Sequence, residues 1–244
     1  MSEITVILNV YNRAHTLEAQ IEAIKNQSVP VRDENIWVWY NKGTAKQAAP
    51  KNSSHRIFVC NQNTKFHGRF AAAMLVQTEY VALFDDDVLP GVNWFKNCLE
   101  TMDQVDGLLG GSGVVLPNTT SYGPNQKIGW NGVRRTIPTD VDLVGHAWFW
   151  KSTWSKYMWY EKPVSWENGE DIMFSYLLQK YGKIKTWVPP HPEDDTTLWS
   201  CDPAFGFKHG NDASASWLHN NNHNNVRDHI VRECCNNGWI IKNH

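Results

Sequence analysis

Apolar positions along the chain fall into short blocks divided by polar turns, and their spacing alternates between two patterns. ITVILNV (4–10) is a continuous, β-branched run, as expected of a strand covered on both faces. TLEAQIEAIKNQ then places Leu17, Ile21 and Ile24 on one helical face, and Val29-Pro30 breaks that helix. IWVWYN (36–41) and HRIFVC (55–60) read as strands, GRFAAAMLVQ (68–77) as a short alanine-rich helix, and YVALFD (80–85) as a fourth strand. Strands alternating with helices form right-handed βαβ units. The pattern therefore predicts an α/β fold with a mainly parallel central sheet flanked by helices.

The second half is less regular. A helix over 91–104 precedes the glycine-rich LLGGSGVVLP and a polar loop (118–127). DLVGHAWFW (142–150) reads as a strand leading into an aromatic turn. ENGEDIMFSYLLQKYG (167–182) reads as a helix opened by acids and closed by Gly182. IKTWVPP is expected to be an edge strand stopped by prolines. Residues 190–225, rich in His, Asp and Asn, read as loop, and 226–237 as a last helix. With no repeat and no boundary in composition, a single domain is expected, made of a regular first half (1–105), a less regular second half (106–190), and a loop with a C-terminal helix (191–244).

Composition narrows the partners. The 244 residues carry a formal net charge of −2, which gives no global field to attract nucleic acid or an anionic membrane. No apolar run approaches the roughly 20 residues of a membrane span, so no membrane insertion is expected. MSEITVILNVYNRAHT lacks the positive start and small-residue cleavage site of a secretory signal, and reads as a core strand. Five cysteines, odd in number and without CxxC spacing, argue against a disulfide framework or zinc site and for a reducing, cytoplasmic setting. Thirteen tryptophans are unusual. Core filling accounts for most of them. Trp130, Trp148, Trp150, Trp154, Trp159 and Trp166 sit beside polar residues and turns, where a flat apolar face suits a sugar or base.

The candidate chemistry begins at Asp85-Asp86-Asp87, where a buried-looking strand ends on three mutually repelling carboxylates. Ligands of parallel sheets gather beyond the carboxyl ends of the strands, and the YNR, NKG and DDD segments all fall there. Hard oxygen ligands suit Mg2+ or Mn2+ shared with phosphate oxygens. A solvated acidic turn capping the next helix is the plain alternative. A phosphatase of the DxDx[TV] type is disfavoured because Leu89 stands where Thr or Val belongs. A nucleotidyltransferase is disfavoured by the missing glycine-rich GxGxR-type loop. A non-catalytic sugar-binding module would need neither the aspartates nor the later GED.

Five segments in order resemble the GT-A fold glycosyltransferases, close to the family-2-like group and with traits of exostosin-type domains: ITVILNVYNR, NTKFHGRF, TEYVALFDDDVLP, LVGHAWFW and GEDIMFSYLLQKYG. The resemblance covers roughly residues 3–190. It implies a nucleotide-sugar donor, expected to be a uridine diphosphate sugar, and a glycan or glycoprotein acceptor. Donor-binding residues would be Tyr11, Asn12, Arg13, Asn41, Arg69, Asp85 and Asp86, with Arg69 clasping the diphosphate bidentately. Asp87 and Asp85 would hold the divalent cation, with a C-terminal histidine drawn from His191, His209, His219 and His223. His209 is favoured because Gly210 permits a close approach. Asp171 would be the base and Glu170 would orient the acceptor, although acids in a first helical turn also simply answer the helix dipole. Gly145, His146 and Trp148 would face the acceptor sugar. Inversion at the anomeric carbon is expected, with a retaining, exostosin-like course as the alternative.

Overall fold

The computed structural model describes residues 3–42, 54–213, 215 and 222–243. Its elements run β1 (Ile4–Val10), α1 (Leu17–Lys25), β2 (Ile36–Tyr40), β3 (Arg56–Val59), α2 (Gly68–Ala72), β4 (Tyr80–Phe84) and α3 (Trp94–Val105). They continue as β5 (Leu108–Val115), β6 (Gln126–Gly129), β7 (Thr139–Val141), β8 (Leu143–Lys151), α4 (Glu170–Leu177), β9 (Thr186–Val188), α5 (Pro203–Gly210) and α6 (His223–Asn236). The strands form one sheet in the order β3-β2-β1-β4-β8-β5-β9-β7, with β6 attached to β5. β3, β2, β1 and β4 are mutually parallel, and β8 adds antiparallel to β4.

The sequence pattern explains the layering. All seven residues of β1 are buried. Val6, Leu8 and Val10 join a core on one face of the sheet, and Ile7 joins the core on the other. A third apolar cluster lies between α4 and α6: Ile172, Met173, Tyr176 and Leu177 pack with Ile230, Val231, Cys234 and Trp239. No described helix is long and apolar enough to cross a membrane.

Two expectations need correction, on the strand at 184–190 and the loop at 190–225, and one unassigned stretch is a strand. The strand at 184–190 is not an edge, because β9 is paired parallel to β5 and antiparallel to β7. The glycine-rich run after α3 is strand β5: glycines let β8 and its neighbours approach closely, and a Cβ at Gly110 would lie 2.4 Å from Val144 Cβ. The 190–225 region contains helix α5, whose Asp202 accepts from Phe205 N–H (2.8 Å) and whose first residue is Pro203, a capping signal present in the sequence. Of the NKG segment that follows β2, Gly43 lies outside the described residues.

Candidate active site

Parallel register brings the ends of β1, β2 and β4 to one edge of the sheet. Val10 pairs with Tyr40, Leu8 with Phe84, and Asn41 N–H donates to Val10 O (2.9 Å). Tyr11, Asn12, Arg13, Asn41, Arg69 and the three aspartates thereby line one cleft of about 930 Å³. Gly145, His146, Trp148, Glu170 and Asp171 line it as well, together with Lys127, Asn168, Phe207, His223 and Arg227.

The aspartate triplet is offset one member at a time. Asp85 receives Arg69 Nη1 at 2.6 Å, and Asp86 receives Arg13 Nη1 at 2.6 Å and Tyr11 N–H at 3.3 Å. Asp87 is held less closely: Arg13 Nη1 lies 3.8 Å from its Oδ2 and His146 Nδ1 lies 3.9 Å from its Oδ1. Its Oδ1 is buried and accepts no hydrogen bond among the described residues, and the same holds for His146 Nδ1. Burial raises all three carboxyls above the ordinary range, against the lowering effect of the neighbouring cations. The backbone of the turn is pinned from α1 and the residue before it: Gln20 Nε2 donates to Asp85 O and Val88 O (both 2.7 Å), and Thr16 Oγ1 to Asp86 O (2.8 Å).

His146 owes its place to strand register. Phe84 pairs with Ala147, so Asp85 follows opposite His146, and Asp85 N–H donates to His146 O (3.0 Å). The β5–β8 register shifts between Gly110 and Ser112, and His146 adopts φ 70°, a left-handed conformation rare outside glycine. Ligand atoms of Asp85, Asp87 and His146 lie within 4.8 Å of one another. Two carboxylates and an imidazole, with Asp87 Oδ1 and His146 Nδ1 unpartnered among the described residues, form a donor set that fits Mn2+ or Mg2+. His146, expected on the acceptor side, thus joins the aspartates.

The expected C-terminal ligands lie elsewhere. His209, at the end of α5, contacts the rings of His15 and Phe205 and is not in that three-residue group, although a Cβ on the adjacent Gly210 would lie 3.4 Å from Asp87 Oδ2. His191 is fully buried, with Nδ1 on Pro189 O and Nε2 on Ser200 Oγ. His223 lines the cleft near Asp171, and His219 lies outside the described residues.

Several donor-side residues are engaged within the protein. Arg13 also binds Asp212 through Nε (2.9 Å). Asn41 uses its whole amide on the 63–65 loop, accepting from Thr64 N–H (2.8 Å) and donating to Asn63 Oδ1 and Lys65 O. Arg69 divides its amino groups between Asp85 and Glu170 Oε1 (3.0 Å), over the ring of Trp148 at 5.1 Å. A bidentate grip on a diphosphate would require those pairs to exchange. Trp148 is itself core: it is buried, and its indole N–H donates to Val144 O (2.8 Å). Of the six tryptophans singled out, Trp166 alone is largely exposed.

On the facing wall, α4 begins with Glu170 and Asp171 after Gly169, which takes φ 87°. Burial and the neighbouring Asp171 push Glu170 up to about 7. Burial would also raise Asp171, but Arg227 outweighs it, through its charge and a 2.6 Å hydrogen bond, and holds the carboxyl below the ordinary range. Arg227 escaped the sequence reading because its only local signal is a charge one turn ahead of the apolar positions 230, 231 and 234.

The model of glycosyl transferase family 2 matches residues 5–153, more than half of the chain. This chain belongs to that family. No curated protein matches this family 2 chain significantly. Among solved structures, a crystal structure of GalNAc-T7 with UDP, GalNAc and Mn2+ superposes with a TM-score of 0.59 at 10% identity. The match covers 77% of this chain but only 42% of GalNAc-T7, so it speaks for the fold. This family 2 chain accordingly has the GT-A fold, an α/β sheet that is parallel through β3, β2, β1 and β4.

Proposed function

We propose that this chain moves a sugar from a nucleoside-diphosphate sugar, with uridine diphosphate as carrier, to a hydroxyl of a glycan or glycoconjugate, inverting the anomeric carbon. The observation that carries the reading is the pair of buried atoms Asp87 Oδ1 and His146 Nδ1, 3.9 Å apart and unpartnered among the described residues, in a cleft that Glu170 and Asp171 also line. Asp85, Asp87 and His146 would hold Mn2+ or Mg2+. Such a cation, when bound, neutralises charge developing on a leaving diphosphate. Tyr11 and Asn12 are assigned to the base and ribose, Arg13 to fixing Asp86, and Arg69 to keeping Asp85 and Glu170 in register. Asp171 accepts the acceptor hydroxyl's proton, and Glu170 and the Gly145 segment orient that hydroxyl.

The test is a panel of nucleotide sugars incubated with Mn2+ or Mg2+ and read as released diphosphate. Cleavage of at least one uridine donor, lost with chelator, is expected. Release from none of them would overturn the donor assignment. Proton NMR of early product from an α-linked donor decides the stereochemistry: a β-linked product is expected, and an α-linked one returns the retaining course.

A further inference from the structure

We propose that Arg227, on the C-terminal helix, is a positioning residue for the transfer reaction: it fixes the Asp171 carboxylate at the cleft wall, so that a segment beyond the family-matched region completes the active site. The proposal takes the identity of the base from the reading above. The coupling of the two side chains stands apart from it.

Residues 227, 230, 231 and 234 share one face of α6, and the last three pack against α4. An arginine next to an apolar stripe ordinarily runs its head out to water. This one is 6% exposed. Its guanidinium lies over the Tyr122 ring, 4.0 Å from the centroid, while the next residue, Asp228, accepts from Tyr122 N–H (2.6 Å). α6 is held hard against the start of α4, where a Cβ on Gly169 would lie 2.3 Å from Ile230 Cδ1. Depth and orientation of Arg227 are therefore set before it reaches its partner.

That partner is held at both oxygens. Asp171 Oδ2 receives Arg227 Nη2 at 2.6 Å, and Oδ1 receives Ile172 N–H at 2.9 Å. Arg227 Nε is buried without a partner among the described residues. An ion pair serving only to dock a helix gains most when the fork is fully used. Here one amino group is spent on one carboxylate, in the wall of the cleft. Gly145 borders it: a Cβ there would lie 3.9 Å from Asp171 Oδ2, in ordinary van der Waals contact, and both residues line the cleft. The other titratable groups facing Asp171 are His223 of α6, Glu170 of its own helix, His67 ahead of α2, and Tyr122.

The experiment compares Arg227→Met and Arg227→Lys in the full chain, by turnover against pH and by carbon-13 NMR of the Asp171 carboxyl. Arg227→Met is expected to lower kcat by about 10²-fold at nearly constant donor KM, and to move the Asp171 titration and the acid limb of kcat upward together. Arg227→Lys should restore the limb more than the rate. Adding Arg227→Met to Asp171→Asn should cost little further. Wild-type kcat and an unmoved Asp171 titration in Arg227→Met would overturn the proposal. So would a rate loss that merely tracks a lower Tm, or one that multiplies with Asp171→Asn. If wild type cleaves no nucleotide sugar, the transferase reading fails, while the NMR titration still reports on the Arg227–Asp171 coupling.

Discussion

The two walls of the cleft, which the proposed function assigns to donor and acceptor, are built by different rules. On the donor wall, three parallel strands end at one level, and whatever residues follow them, Tyr11, Asn41 and Asp85, meet there by topology. The acceptor wall has no such common origin: β8 supplies Gly145 and His146, α4 supplies Glu170 and Asp171, α5 supplies Phe207, and α6 supplies Arg227. Its parts meet through an antiparallel register, one tight glycine and a buried ion pair. Placement on the first wall follows from local sequence, and on the second from contacts between residues far apart in the chain.

The sharpest way to test that contrast is at the triplet, where the walls touch. Asp87→Ala removes a carboxylate that no protein hydrogen bond occupies at Oδ1. Mn2+ should then stop strengthening UDP binding in calorimetry, and turnover should fall on the order of 10³-fold. His146→Ala should lose most of the same cation effect and His209→Ala little of it. The reverse order would restore His209 as the ligand.

Next in size is Asp171→Asn, which keeps shape and removes basicity. Turnover should drop by ~10²-fold or more, with cation-dependent UDP affinity intact, because the donor wall is untouched. A variant as active as wild type would take Asp171 out of the mechanism and leave Glu170 as the acid to examine.

How much of this was legible follows the same division. β1, β2 and β4 were readable because a doubly covered parallel strand leaves an unbroken apolar run, and the triplet because three acids at such a strand end demand compensation. α4 was readable from its acids and its apolar stripe. His146 was seen, but its place beside the aspartates was not, since it depends on pairing with β4 and on φ 70°. Arg69 was singled out for a diphosphate, while its ion pairs with Asp85 and Glu170 are visible only in the fold. Arg227 offered only a charge one turn ahead of an apolar stripe, and Asp212 no local pattern at all.

A smaller, pH-dependent effect separates packing from chemistry. His191 accepts at Nε2 from Ser200 Oγ and N–H, so it is built to be neutral, and burial pushes it down to about 4. His67, buried beside Arg69, is also pushed down to about 4. Above the unfolded value near 6.5 neither state takes up the proton. Between about 6.5 and 4 the unfolded chain does and the folded chain does not, so stability should fall as pH falls through that window. At 1.36 kcal/mol per unit the loss is at most ~3 kcal/mol per histidine. Glu170, pushed up to about 7, works the other way, because between about 7 and 4.5 only the folded state takes up its proton. In denaturant titrations at pH 7 and pH 5, the stability of His191→Gln should therefore fall by roughly 2 kcal/mol less than that of wild type. An unchanged dependence would remove His191 from the account.

The smallest expected effect tests whether the late elements of the acceptor wall hold together independently of the donor wall. α5 starts with Asp202 accepting from Phe205 N–H, followed by Pro203, and carries Phe207 into the cleft against Trp130, with ring centroids 5.3 Å apart. Asp202→Ala leaves that N–H without its cap and should cost ~1 kcal/mol of global stability. Because Gly91 and Asn93 bond to Trp199 O and Thr197 O, and Leu89 O accepts from Asp202 N–H, the chain before α5 stays tied to the segment that follows the triplet. The substituted side chain takes no part in those backbone bonds, so UDP affinity with Mn2+ should be unchanged while acceptor KM rises as α5 frays. If UDP affinity falls in step with stability, the two walls form one cooperative unit at this point, and the division drawn here holds for legibility but not for energetics.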